Sequence, residues 1–488
     1  MNQVISKTSG VTWYPVIGLE VHCQLRTGTK LFCGCVNRFG AEPNTQVCPV
    51  CSGQPGALPV MNKEALQLAL RAALALGCDI APWSKFDRKN YFYCDLPKGY
   101  QISQFDKPYC TGGGLELSSG KRIRLNRIHM EDDAGKAIHD RGPDTLVDLN
   151  RAGIPLIESV TEPDLESADE AFEYLTALKE ILQYVGASDC DMEKGSLRCD
   201  VNISVRQENE ELRTKVELKN LNSFRNVKAA IDFEIERQIA AWENPDSSAH
   251  PVQETRLFDP GPGVTRTMRA KEDAHDYRYF PDPDLPQIFV TDALLDEVRS
   301  SLPELPSARR ARYAEEFELS DYDARVLASE REVADFFEAC VQVGAPAKES
   351  SNWITNELLG VRNERGPETK LIDLGVTPTG LSEMIELIAA GTLGKSAARK
   401  VLRAMIENGS SAAAMMAELG LEQVQDTAQL ESWCRAALEG QDQAIADIRE
   451  GKLKAVGALI GKVMQASQGK ANPGQARELL MKLIEAHG

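Results

Sequence analysis

The chain has 488 residues, 55 Lys and Arg against 73 Asp and Glu, 42% hydrophobic residues and 12 cysteines, which excludes a disordered, collagen-like or fibrous protein. It is longer than the ~250 to 300 residues at which single cores stop growing, so two to four domains are expected. A formal charge of -18 argues against a general nucleic-acid binder, which carries a basic excess to replace counterions on phosphates, so any RNA contact would be local.

The N-terminus MNQVISKTSG has neither an apolar signal core nor an Arg-rich amphipathic pattern, and no run approaches the ~18 apolar residues of a membrane span. A cytoplasmic protein without membrane contact is expected. The first element is a strand, Tyr14 to Leu25, alternating with period two. Ile17, Leu19, Val21, Cys23 and Leu25 share a core face; Glu20, His22 and Gln24 share the other. An imidazole and a carboxylate side by side suit one metal ion, although a solvated strand face would explain a single such pair.

Cys33, Cys35, Cys48 and Cys51 follow, spelling C-x-C-x12-C-x2-C. Two short-spaced pairs bring four thiolates to one point, where Zn2+ is held tetrahedrally with no open position, so a structural zinc is expected. The other eight cysteines are scattered and read as small buried apolar groups. Asn62 caps a helix with Leu66, Leu70 and Leu74 on one face and Gly77 as its stop. From Lys85 to Arg127 nine Lys and Arg outnumber four acids, a local excess of +5, with Tyr91, Phe92, Tyr93 and Tyr100 available for stacking.

His129, Glu131, Asp132 and Asp133 come next. Ser167 and Glu170 form a capping box for a helix with the stripe Phe172, Leu175, Leu178, Leu182 and Val185. SLRCDVNISVR and TKVELKNLNS are strands whose polar faces carry Arg198, Asp200 and Asn202, and Lys215, Glu217 and Lys219. Several half-buried strands bearing acids, bases and amides amount to one polar sheet face, suited to a nucleotide with Mg2+. Ser223 starts a third helix with Val227, Ile231, Ile235 and Ile239 on one face.

Beyond about residue 296 the pattern is helical, joined to the first part by the Pro- and charge-rich SSLPELPSARRAR, with a softer break near residues 407 to 415. GTLGKS, residues 391 to 396, imitates a phosphate loop but has Ala389 where the pattern requires glycine. The last 40 residues carry seven Lys and Arg against three acids, a local +4. Their helical stripe is Val456, Leu459, Ile460, Val463 and Met464, and Asn472-Pro473 opens a further helix.

The motifs GLEVH (18 to 22), SKFDRKNYFYCDLPKGYQISQ (84 to 104), HMEDDAGK (129 to 136), DLNRAGIPLIE (148 to 158), GSLRCDVNIS (195 to 204), ELKNLNS (217 to 223), DYRYFPDPDLP (276 to 286) and GKANP (469 to 473) closely resemble those of the aspartyl/glutamyl-tRNA amidotransferase B-subunit family. The resemblance implies an α+β chain. A mixed-sheet catalytic domain of glutamine synthetase and guanidino kinase type (1–295, with the zinc loop inserted) would precede an all-α helical domain (296–410) and an all-α tail that contacts tRNA (411–488).

It also implies ATP-dependent amidation of Glu-tRNA(Gln) or Asp-tRNA(Asn), in a heterotrimer with an amidase partner that delivers ammonia and a small third partner. Carried over residue by residue, His22, Glu131 and Asp132, with Glu20, are the candidates for Mg2+. Lys89, Lys98, Lys219 and Tyr100 are those for the nucleotide, with Glu158 in support, and Asp200 and Glu217 for a second ion or for orienting ammonia. Part of the family lacks the cysteines, which implies a structural zinc. Two rival readings are a zinc-stabilised tRNA-binding scaffold and a ligase acting on a free amino acid.

Overall fold

A computed structural model describes the whole chain except residues 1, 140–141, 247, 249, 271–275, 367–368, 424–426, 450–453, 468 and 487–488. Contacts divide it into two units, Met1–Leu305 and Pro306–Gly488. The division falls inside the Pro-rich segment, where Leu302 and Leu305 still pack on the first core and a new helix starts at Pro306.

The first unit is built on an eleven-stranded sheet. Its strands include β1 (Thr12–Gln24), β4 (Arg122–Asp132), β5 (Pro155–Thr161), β6 (Leu197–Arg206), β7 (Val216–Lys219), β8 (Glu254–Asp259) and β9 (Val264–Ala270), while β2 (Asp87–Asn90) and β3 (Tyr100–Ser103) pair in a separate small sheet. The spatial order is β9-β8-β7-β6-β1-β5-β4, continued by Cys110–Thr111 and Asp79–Ile80. These neighbours are antiparallel except for β7 and β8, which are parallel.

Burial alternates residue by residue along β1, with Ile17, Leu19, Val21 and Cys23 fully inside. Val201 and Ile203 of β6 join them, and α1 (Lys63–Ala75), α2 (Ala168–Tyr184) and α3 (Phe224–Trp242) contribute Leu70, Leu175, Leu178, Val227 and Ile231 to the same core. Each such side chain contributes ~1.5–3 kcal/mol through burial, which fixes which face of the sheet is left for polar groups.

The helix signals account for the starts. Asn62 accepts from the Glu64 and Ala65 N–H groups, Ser167 from Glu170, and Ser223 from Asn226. Two details differ from the pattern. The Glu170 carboxylate turns back to the N–H of Glu166, not of Ser167. Phe172 is 38% exposed, because it lies at the rim between α2 and α3, edge-on to Phe224 at 6.2 Å.

The second unit is helical throughout its described residues apart from turns and one isolated bridge, Leu393 with Glu422. A π-helical turn, Ile354–Leu358, interrupts the run from Ala347 to Arg365. GTLGKS joins the helix Pro378–Ala389 to the helix Lys395–Asn408. A phosphate loop follows a strand, and none precedes this one. Leu430, Cys434, Val456, Leu459, Val463, Leu480 and Ile484 form a separate small core; Ile460 and Met464 of the expected stripe are partly buried against it. Asn472 caps the last helix, accepting from Gly474 and Gln475. Among the described residues no helix is long and apolar enough to cross a membrane.

Candidate active site and metal centre

The sheet face turned away from the helices carries the polar residues in rows set by register. Arg198 on β6 lies opposite His22 on β1, His22 opposite Glu158 on β5, and Glu158 opposite His129 on β4. Directly opposed residues of antiparallel strands have Cβ atoms ~4.5–5.5 Å apart, so four strands deliver one continuous row. Asp200 lies opposite Glu20 one step along, and Glu131 is two residues from His129 on the same face of β4.

The Glu158 carboxylate accepts from both imidazoles: Oε2 is 3.2 Å from His22 Nε2 and 3.2 Å from His129 Nε2. Glu131 lies 3.5 Å from His22 and 3.7 Å from His129. One ligand atom from each of His22, Glu131 and Glu158 falls within 4.8 Å of the others, an arrangement that could hold a metal ion. Burial alone would raise the Glu158 carboxyl, but His129 and His22 hold it well below the carboxylate range. Burial opposes protonation of His129 as well, and the charge and hydrogen bonds of Glu158 and Glu131 outweigh it, raising its pKa to about 9. His22 is raised in the same manner. Glu131 is lowered despite its burial by His129, His22 and Lys89.

Around this cluster lies a cavity of about 500 Å³, reached also by Glu20, Lys89, Asp200, Glu217, Lys219 and Tyr277. Lys219 is ion-paired to Asp200 and, at 2.9 Å, to Glu217; burial disfavours its charge, yet these two carboxylates raise its pKa. Lys89 makes no ion pair among the described residues and rests 4.9 Å from the Tyr277 ring. It is thus a cation facing the cavity without a committed carboxylate. Glu20 accepts from Asn202 at 2.8 Å, and burial together with Glu158 raises its pKa.

Three expected residues lie elsewhere. Asp132 does not join His22 and Glu131: it follows Glu131 directly on β4, so the pleat sends it to the opposite side. There it is ion-paired to Lys98 and accepts from the Ile102 N–H at 2.7 Å. Lys98 therefore faces the cysteine loop with Asp132 in a small pocket. Tyr100 borders that pocket too, stacked by the Arg88 guanidinium at 4.2 Å.

The cysteine quartet converges. All four Sγ atoms lie within 4.8 Å of one another, Cys48 and Cys51 at 3.9 Å. Zn–S bonds of ~2.3 Å give tetrahedral edges of about 3.8 Å, so the donors fit a zinc ion by both chemistry and spacing. The Cys51 thiol is drawn down to about 4, first by its hydrogen bond with Cys33 and then by the Cys48 N–H and Lys30. Cys33 is pushed up by the same hydrogen bond and by burial.

The patterns in the chain pass over His129 as a site residue and place Glu158 only in support. Both become central because they meet across strands 29 residues apart in sequence, a proximity that only register creates. Asp133 and Arg198 are likewise visible in the sequence as polar strand residues without a role. Asp133 is buried and held low, against the cost of burial, by Arg198 at 2.9 Å, Arg151 at 3.5 Å and Gln24.

Residues 15–296 match the family described as the GatB/GatE catalytic domain, and residues 335–484 match the GatB domain. The B subunit of the aspartyl/glutamyl-tRNA(Asn/Gln) amidotransferase of Geotalea daltonii is 50% identical over 478 residues, covering 96% of this chain and 99% of the relative. Its counterpart in Geobacter sulfurreducens is 49% identical, covering 97% and 100%, and that of Persephonella marina 49%, covering 96% and 99%. The chain therefore belongs to the family of aspartyl/glutamyl-tRNA(Asn/Gln) amidotransferase B subunits.

Proposed function

We propose that this chain carries out the ATP-dependent transamidation of misacylated Glu-tRNA(Gln), Asp-tRNA(Asn) or both, as the phosphorylating and amidating component of a glutamine-dependent ligase. The observation that carries the reading is the cluster of His22, Glu131 and Glu158 at the floor of a polar cavity whose rim supplies Lys89 and Lys219. A solvated strand face or a bare RNA scaffold gives no reason to bury two carboxylates and two imidazoles together.

His22, Glu131 and Glu158 would hold Mg2+, with Glu20 near enough to the cavity to share in it. ATP supplies the phosphoryl group that turns an anionic side-chain carboxylate into an acyl phosphate with a leaving group, and Mg2+ offsets the repulsion between the two anions. Lys89 offers an uncommitted ammonium to the transferring phosphoryl, and Lys219 a second one held by Asp200 and Glu217. His129 is a positioning residue: its Nε2 binds the Glu158 carboxylate from the side away from His22 and keeps it turned toward the cavity. Asp200 and Glu217 face the same space with acceptor oxygens suited to orienting incoming ammonia. The Cys33, Cys35, Cys48 and Cys51 centre holds zinc for structure, since four thiolates leave no open position.

In this reading residues 1–295 have the glutamine synthetase and guanidino kinase type of fold, residues 296–410 form a helical domain and residues 411–488 a tail that contacts tRNA. An amidase partner supplies ammonia and a small third partner completes the heterotrimer, all in the cytoplasm. Co-expression with the amidase partner and measurement of ADP formation with Glu-tRNA(Gln), Asp-tRNA(Asn) or free glutamate tests it. Stimulation by a misacylated tRNA and not by free glutamate is expected; stimulation by neither tRNA refutes the proposal.

A further inference from the structure

Lys30 is 0% exposed and makes no ion pair with a carboxylate among the described residues. Its ammonium donates to the Gln46 carbonyl at 2.7 Å, to the Leu149 carbonyl at 3.4 Å and to Cys51 Sγ at 3.6 Å. A buried ammonium needs a nearby anion or loses far more in desolvation than two carbonyls return. The anion within reach is the cysteine centre.

The charge arithmetic makes the pairing specific. Four thiolates around one divalent ion leave a net charge of -2, and on the side of Cys51, the one buried ligand of the four, that charge needs compensation from the protein. Lys30 lies against one ligand atom and supplies one positive charge. The backbone beside it is left-handed: Gly153 has φ +86°, a conformation that favours glycine, and a Cβ there would sit a tight 3.2 Å from Cys51 Cβ and in ordinary contact, 3.6 Å, with Lys30 Cδ. The Leu31 N–H donates to the Gly153 carbonyl and the Lys30 N–H to the Cys35 carbonyl, each at 2.9 Å.

We infer that Lys30 is the charge-compensating residue of the four-cysteine centre, setting its affinity for zinc and tying it, through Leu149, to the turn that leads into β5 and Glu158. The inference rests on the zinc reading above. Removing the charge leaves a doubly negative centre uncompensated, so the metal is held less tightly. It also leaves the sulfur lone pairs of Cys51 higher in energy, because the cation that stabilised them is gone.

The test uses the full-length chain and two variants, Lys30→Met, which keeps the length and apolar stem, and Lys30→Gln, which keeps a donor without the charge. Zinc content, the rate of zinc release to a chelator, and the thiolate-to-metal charge-transfer band of the Co2+-loaded protein are measured. Wild type is expected to bind one zinc per chain. Both variants should hold it 10- to 100-fold less tightly, the range found for outer-shell partners of metal ligands, with the Co2+ band moved to longer wavelength. A wild-type chain without zinc defeats the metal reading itself. Zinc-bearing wild type with unchanged release and an unchanged band in the variants overturns the role of Lys30, leaving it a tether between two carbonyls. Variants that fail to fold and are not restored by excess zinc overturn it likewise.

Discussion

His22 and Glu158 oppose each other across β1 and β5 at 3.2 Å, and this contact sets what single substitutions should do. His22→Ala removes the one imidazole of the proposed metal-binding cluster but leaves the apolar face of β1 untouched. ATP cleavage stimulated by misacylated tRNA should fall at least 10²-fold while circular dichroism and the partner's glutaminase activity are unchanged; loss of solubility would instead assign His22 to the fold.

The His129 and Glu158 pair makes a pH prediction for metal-free protein. The His129 pKa is raised from 6.5 to about 9, so its contribution is complete below pH 6.5 and is lost as pH rises through about 9. Glu158 is lowered from 4.5, so its contribution is present above pH 4.5 and is lost as the solution becomes more acid. In chelator, the melting temperature should therefore decline between pH 7 and pH 10, and His129→Gln should flatten that part of the curve. A slope identical in the variant would mean that other groups cause the decline. At this scale Glu20 and His22 were legible, because alternation along one strand is written in the chain. Adjacent Glu131 and Asp132 go together as ligands only by resemblance, against the same alternation that separates them, and the partnership of Glu158 with His129 depends on register.

The elements were more legible than the pairs they create. Each of α1, α2 and α3 begins at the Asn or Ser that its sequence marks, because a capping side chain acts within three residues and needs no tertiary information. The cysteine quartet was legible for the same reason, with spacings short enough to carry geometry. Sheet order was not, since β1 sits between β5 and β6, each more than 100 residues away. This order gives the element-scale prediction. Ile231 of α3 is fully buried in the core beneath the strands that carry the polar row, and Ile231→Ala should cost ~2–5 kcal/mol, read from urea or thermal unfolding of the full chain. If the helix supports the sheet, Mg2+-dependent turnover should survive at low temperature and fail early on warming. A full loss of turnover at low temperature, with the protein still folded, would place α3 nearer the chemistry than its packing indicates.

The whole molecule combines a charge of -18 with local basic excess in stretches that include Lys85 to Arg127 and the last 40 residues. The acidic majority includes the buried Glu131 and Glu158 of the cavity cluster, while the tail keeps Lys454, Lys462 and Arg477 exposed on helices around an independent core. Counterion release makes each phosphate contact visible as salt dependence, with a slope of about -0.7 to -0.9 in log affinity against log salt per contact. If the tail meets the tRNA backbone, Lys462→Ala with Arg477→Ala should weaken tRNA binding, flatten that slope by roughly 1.4 to 1.8 if both contacts are lost, and raise the KM for misacylated tRNA without changing kcat. Binding measured across a salt series with wild type and the double variant decides it. An unchanged slope would assign the tail's positive charge to solvation, and the local phosphate contacts that so acidic a chain requires would then have to be sought in the basic stretch from Lys85 to Arg127, which includes Lys89 at the cavity.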